Sequence, residues 1–285
     1  MENIPIRDIK EYQKEQNFSN SFNIRDIRPL LGGKDMIQEL HRHDFFFVLA
    51  LQKGKGNHEI DFISYEVCDH SVYFLRPGQV HRLTLKSGST GFLMAFKADI
   101  FYPHDKVFNE RLRKASNVNH YPLDATRFTT VQAVLDFIFR EYTVQQEGYE
   151  SVIIANLGII IIELIRQISE SPSNSTSLYK QERLEEFLEL LEKHSSKYKQ
   201  VSQYADLLNL SPFQLNAITK TTLGKTSSVI INDHIILESK RYLLATSNQV
   251  NEIAYQLGYE DISYFIRFFK KQTGYTPEAF RNNFR

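Results

Sequence analysis

The sequence predicts an α+β chain of two domains. The first is a β-barrel with two appended helices, and the second is all-α, with a long helix joining two helix-turn-helix units. Three observations carry that expectation. Short apolar runs separated by turn residues fill Phe22 to Phe101, and from Phe128 the apolar period changes to that of helices. The last hundred residues then contain a two-fold internal echo.

In the front segment, "FFFVLALQKGKGNHEIDFISYEVCDHSVYFLRPGQVHRLTLKSGSTGFLMAF" carries Gly54, Gly56, Pro77–Gly78 and Gly88 as punctuation between runs rich in Phe, Val, Ile and Tyr. Closely spaced strands of this kind favour a sandwich or barrel. Val131, Val134, Leu135, Ile138, Phe139 and Tyr142 then follow the i, i+3, i+4, i+7 spacing of an amphipathic helix. "VIIANLGIIIIELI" (Val152–Ile165) reads as a second helix, interrupted by Asn156 and Glu163, too short and broken to span a bilayer. It is expected to be buried nearly all round. Two such helices either fold back on the barrel or meet a second copy of themselves.

The polar, Ser-rich "SESPSNSTS" (Ser169–Ser177) is the linker. It places domains at about 1–169 and 180–285, with residues 170–179 between them. A single cysteine, Cys68, excludes an internal disulfide and a multi-cysteine metal site. The opening "MENIPIRDIK" has no apolar h-region, so a reducing, cytoplasmic setting is expected and no membrane association. Net charge is zero overall, but from Lys197 onward 11 Lys/Arg stand against 7 Asp/Glu, a net of +4. That bias is compatible with nucleic acid.

The internal echo is the most informative feature. "VSQYADLLNLSP" from Val201 aligns with "VNEIAYQLGYED" from Val250, matching Ala205 to Ala254 and Leu208 to Leu257 at an offset of 49. Beyond the turn the offset is 50, and Leu215, Ile218, Thr219 and Lys220 match Phe265, Phe268, Phe269 and Lys270. Each unit, about 199–223 and 249–273, is a short helix with a central Ala, a turn, and a second helix ending at Gly224 or Gly274. Ser211–Pro212–Phe213–Gln214 has the form of a capping box with Pro at N1. On a helical wheel, Phe265, Phe268 and Phe269 cluster inward while Ser263, Arg267 and Lys270 face away, with Ile262 and Ile266 at the border. The first unit shows Leu215, Ile218, Thr219 and Thr222 opposite Phe213, Asn216, Ala217 and Lys220. Aromatics build a core, and the opposite faces have the form of surfaces that lie in a DNA major groove. Ser227 to Asn248, without Gly or Pro, reads as the connecting helix.

These residues resemble the AraC family of bacterial transcription regulators. The stretch "DHIILESKRYLLATSNQVNEIAYQLGYEDISYFIRFFKKQTGYTPEAFR" (Asp233–Arg281) carries the likeness, which extends over roughly the last hundred residues. The resemblance implies a seven-helix DNA-binding domain whose second helices enter successive major-groove segments of double-stranded DNA. Base-facing residues would be Phe213, Asn216, Ala217, Ile262, Ser263, Ile266 and Arg267; Lys220 and Lys270 would hold phosphates. Thr219 stands where the family usually has Phe, implying looser packing of the first unit, and Ala217 stands where a larger polar residue commonly reads a base. The second unit is therefore expected to contribute at least as much specificity, through Arg267 bidentate to guanine. The front half is similar to the cupin-like sensor domain of such regulators, which implies a small-molecule effector, a homodimer through helices within 128–168 and activation by contact with RNA polymerase; repression is equally compatible with these residues.

"HRHD" (His41–Asp44) and "PGQVH" (Pro77–His81) fall where the two motifs of that barrel would lie. His41 and His43, two apart on a strand, point to one side and His81 can join them, so the three are candidates for effector contact. The alternatives are a metal-dependent enzyme of cupin type using these three histidines, or a regulator whose front domain only dimerises or binds a protein. Metal cupins usually add a Glu a few residues on, where Phe46, Phe47 and Val48 stand here, so neither metal nor cofactor is expected. No nucleophile elbow, phosphate loop or paired-carboxylate motif rises above chance, and no enzyme is expected.

Overall fold

The computed structural model describes residues 5–7, 21–100, 106–168 and 178–284; the Ser169–Ser177 stretch lies outside them. The chain divides into two compact units, Pro5–Ser171 and Pro172–Arg285.

The first unit is built on β1 (Ile6–Arg7), β2 (Phe22–Asp26), the short α1 (Ile27–Leu31), β3 (Met36–His43), β4 (Phe46–Lys53), β5 (Gly56–Ile60), β6 (Ile63–Val67), β7 (Ser71–Leu75), β8 (Val80–Leu85), β9 (Thr90–Phe96) and β10 (His120–Pro122). They form two five-stranded sheets, β1-β3-β8-β5-β6 and β10-β7-β4-β9-β2. The expected barrel is thus two sheets facing each other, the double-sheet build of jelly-roll and cupin-like folds. Strand β4 shows why its run of apolar residues is unbroken. Phe47, Leu49 and Leu51 enter the core between the sheets with Tyr73, Leu75, Leu83 and Leu85. Val48 and Ala50 point the other way, toward helices. A strand buried on both faces has no polar side to alternate with.

Three helices cover that second face: α2 (Lys106–Ser116), α3 (Ala125–Val144) and α4 (Tyr149–Ile168). Two were expected. Helix α2 sets Phe108, Leu112 and Ala115, at i, i+4 and i+7, against the core. Phe128, Val131, Leu135 and Ile138 of α3 are buried, so the helix folds back on the sheet. Helix α4 departs from expectation. It is 20 residues long and, by length and composition, apolar enough to cross a membrane. Yet only one stripe, Ile153, Leu157, Ile160, Ile161 and Leu164, is buried in this unit. The opposite side leaves Ala155 and Ile159 exposed. The helix is apolar all round, but one copy of the unit covers only part of it.

The second unit contains seven described helices: α5 (Leu178–His194), α6 (Val201–Leu207), α7 (Pro212–Leu223), α8 (Ser227–Ala245), α9 (Val250–Gln256), α10 (Ile262–Thr273) and α11 (Pro277–Phe284). One core joins them, from Phe187, Tyr204 and Leu215 through Ile231 and Ile235 to Phe265, Phe269 and Phe280. The connecting helix α8 stops at Ala245, short of Asn248. Arg281 donates to the carbonyls of Leu243 (2.9 Å) and Asn248 (2.6 Å) and so anchors the chain as it leaves the helix. At 19 residues α8 spans about 28 Å. Lys199 joins α5 to α9: its ammonium donates to the carbonyls of Ser195, Ser196 and Leu257. Burial lowers its pKa to about 8.

Candidate functional site

Each helix-turn-helix unit is held by the same local devices. Both turns share an equivalent backbone bond of 2.9 Å, Leu210 N–H to the Ala205 carbonyl and Tyr259 N–H to the Ala254 carbonyl. Ala205 and Ala254 are fully buried at the helix crossing, where a larger side chain would push the helices apart. Asn209 and Gly258 take the left-handed conformation that each turn needs, with φ of 54° and 78°. Ser211 Oγ accepts from Gln214 N–H (3.2 Å) while Gln214 Oε1 accepts from Ser211 N–H (2.8 Å), a complete capping box ahead of α7. Asp261 does the equivalent for α10, accepting from Ser263 N–H (2.8 Å) and Tyr264 N–H (3.2 Å).

The faces divide largely as the periodicity requires. Leu215, Ile218 and Thr219 of α7 and Phe265 and Phe269 of α10 are buried. Ala217, Lys220, Ser263, Arg267 and Lys270 are exposed, and Ile262 and Ile266 are half-buried at the margin. Phe213, at the start of α7, is 82% exposed, which is rare for an aromatic ring that has only water to meet. Arg267 lies 3.9 Å from Asp261 with both side chains largely in solvent, a pairing too weak to hold the guanidinium back from another acceptor. Tyr264 and Lys271 are exposed as well and were not among the expected contacts.

Asn216 sits differently from its expected outward position. It is half-buried, and its Oδ1 accepts from Ser227 N–H at 2.9 Å. That amide opens α8 and has no partner within the helix. The second unit explains the choice. At the offset of 50, Asn216 corresponds to Ile266 and Ser227 to Pro277. Proline has no N–H to satisfy, so no acceptor is needed opposite it. Thr219, where the echo has Phe269, is fully buried, with its Oγ1 3.1 Å from Ser227 Oγ. The first unit thus replaces an aromatic contact with a small polar cluster, Asn216–Thr219–Ser227. Asn216→Ala is expected to destabilise the folded chain by about 1–3 kcal/mol, because a buried amide loses its acceptor. Asn216→Ile with Ser227→Pro, which copies the second unit, is expected to recover part of that loss in urea unfolding followed by circular dichroism.

In the N-terminal unit, His41, His43 and His81 are brought together, all buried, with their ligating nitrogens within 4.8 Å of one another. His41 faces His81 directly across β3 and β8. The register between these strands shifts between Gln38 and His41. That β-bulge turns His41 and His43 to the same interior face as Gln38. His43 Nε2 is 2.8 Å from His81 Nε2, and His81 Nδ1 is 2.9 Å from Nε2 of a fourth histidine, His58 on β5. His58 is fully buried, and burial drives its pKa down to about 3, so it is neutral at ordinary pH. It had not been singled out in the sequence. Its signal is parity: it lies two residues before the buried Ile60 on the same strand. Phe45 and Phe47 wall the cluster, the latter stacked on His43 at 5.3 Å.

Comparison with known proteins bears on the second unit most directly. A family model described as a helix-turn-helix domain matches residues 204–283. The transcriptional activator RhaS of Enterobacter sp. (strain 638) is 22% identical over 242 residues, covering 85% of this chain and 86% of RhaS. The bifunctional transcriptional activator and DNA repair enzyme AdaA of Bacillus subtilis is 31% identical over 93 residues, covering 33% of this chain and 44% of AdaA. The C-terminal domain of the response regulator yesN from Fusobacterium nucleatum is similar at 29% identity and a TM-score of 0.33, over 35% of this chain and 98% of that one. The matched segment contains both capped turns and both exposed helix faces. Residues 204–283 thus form a helix-turn-helix domain of the kind that DNA-binding transcription regulators carry, at the C-terminal end of a chain similar along most of its length to a transcriptional activator.

Proposed function

We propose that α7 and α10 enter successive major-groove segments of one operator and that the second unit does most of the base reading. The observation that supports this is the pair of capped, outward helix faces set on the two ends of α8. Arg267, Ser263, Ile262 and Ile266 line the reading face of α10, with Arg267 the one side chain there that can bond guanine bidentately. Phe213 and Ala217 offer α7 only apolar contacts, suited to thymine methyl groups. Asn216 has its carbonyl oxygen engaged by Ser227 and contributes through its amide nitrogen alone. Lys220 and Lys270 hold phosphates. Footprinting on a selected operator is expected to protect two segments about one helical turn, roughly 34 Å, apart. A single protected segment would contradict simultaneous docking.

The N-terminal unit serves as the sensor, its bound effector changing how two DNA-binding domains are presented across the 169–177 stretch. RhaS and AdaA are transcriptional activators, and this chain likewise activates, through contact with RNA polymerase in the cytoplasm. Homodimerisation runs through α4, whose outer side presents Ala155 and Ile159 to solvent. Ile159→Glu puts a charge in that seam, and sedimentation equilibrium is expected to show a dimer for wild type and a monomer for the variant. Equal masses would move the dimer contact elsewhere.

A further inference from the structure

The four buried histidines ask for a ligand of particular size and chemistry. His41 and His43 are 2% exposed, and His58 and His81 are 0% exposed. A site closed to that degree, walled by Phe45 and Phe47, takes an ion more readily than a sugar or an aromatic compound. On the same interior face, positions such as Leu83 and Leu85 carry ordinary apolar side chains, so packing alone does not require imidazoles there. The tautomers are also constrained. His41 Nδ1–H donates to the Glu39 carbonyl at 2.6 Å, since a carbonyl can only accept, and this leaves the lone pair on Nε2. That carbonyl belongs to the bulged stretch of β3, so one irregularity both turns the ring inward and fixes its proton.

We propose that the N-terminal unit binds a divalent transition-metal ion through His41, His43 and His81, with His58 as the positioning residue that orients His81. The missing carboxylate was the objection to a metal here. Part of what a carboxylate does near a metal is to accept the proton of a ligating histidine and fix its ring. His58 Nε2 stands 2.9 Å from His81 Nδ1 and fills that role without adding charge. Two nitrogens bound to one ion at 2.0–2.1 Å stand roughly 3 Å apart. His43 Nε2 and His81 Nε2 are separated by 2.8 Å, the spacing that a shared proton now occupies. On metal binding that proton leaves Nε2 of the pair. An all-imidazole set selects zinc, copper, nickel or iron over magnesium and calcium. The ion's regulatory role rests on the sensor reading above; its binding does not.

The test is titration of the metal-free full chain with Co(II), read by visible absorption and by bound metal per chain, with Zn(II) as competitor. Wild type is expected to take up one Co(II) with a d–d band that Zn(II) abolishes. His43→Ala should lose the band. His58→Phe should weaken binding tenfold or more, and His58→Gln, which keeps a hydrogen-bonding group, should recover part of it. Absence of the band in wild type, or equal uptake by wild type and His43→Ala, overturns the site. Operator affinity measured with and without Zn(II) separates the two ideas. Uptake that leaves operator affinity unchanged would overturn the ion's role as effector, whereas loss of uptake alone leaves the DNA reading intact.

Discussion

Gly258→Ala is expected to unfold the second helix-turn-helix unit. Gly258 holds φ at 78°, and a Cβ built on it would lie 1.6 Å from the Ser196 carbonyl oxygen and 2.7 Å from its carbon. Both obstacles are backbone, so no rotamer change relieves them. Ser196 is also held by the Lys199 ammonium, which ties it to the Leu257 carbonyl, so the two segments cannot drift apart cheaply. The left-handed conformation alone costs about 1–2 kcal/mol in a residue with a Cβ. Together with the clash, a loss of more than about 4 kcal/mol is expected. Gly274→Ala is the control: its φ is 82°, but nothing lies within 4 Å of the added carbon. That variant should lose about 1 kcal/mol. Urea unfolding followed at 222 nm measures both, and similar midpoints for the two would contradict the close approach of the second turn to Ser196.

Arg267→Ala and Lys270→Ala are expected to weaken DNA binding in different ways. Both side chains are exposed on α10, three residues apart, so they share a face of the helix. Loss of Arg267, the proposed bidentate partner of guanine, should cost about 1–3 kcal/mol on the preferred operator, roughly 5–150-fold, and relax preference at one base pair. On unrelated DNA the loss should be small. Loss of Lys270, proposed to hold a phosphate, should weaken binding to all sequences alike and reduce the salt slope by about one. Competition binding at several salt concentrations distinguishes them. A uniform loss for Arg267→Ala would move it from base edge to backbone.

The parts of this protein that were legible in its sequence are those set by local chemistry. Capping by Ser211 and Gln214, the tolerance of Asn209 and Gly258 for positive φ, and the inward Phe265 and Phe269 all follow from neighbours within one or two turns of chain. Asn216 shares the outer face on the helical wheel, yet its oxygen turns to Ser227, which is 11 residues away and beyond a helix stop. Comparing the two repeats as pairs, Asn216 with Ser227 against Ile266 with Pro277, would have exposed it. Helix α4 misled for another reason: an apolar surface records that burial is needed, not which molecule supplies it. The histidine cluster was half legible. Spacing brought His41 and His43 to one side, but the β-bulge before them and the approach of His58 belong to strand register, which no local pattern states.

Selection of bound sequences from a random duplex pool measures most directly whether two reading helices of unequal worth act together. Wild-type protein should enrich two direct segments about one turn, roughly 10 base pairs, apart, with the sharper preference, including a guanine, in the segment read by α10. Arg267→Ala should enrich the same pair with that guanine lost. Enrichment of a single segment, or a guanine preference that survives Arg267→Ala, would contradict it.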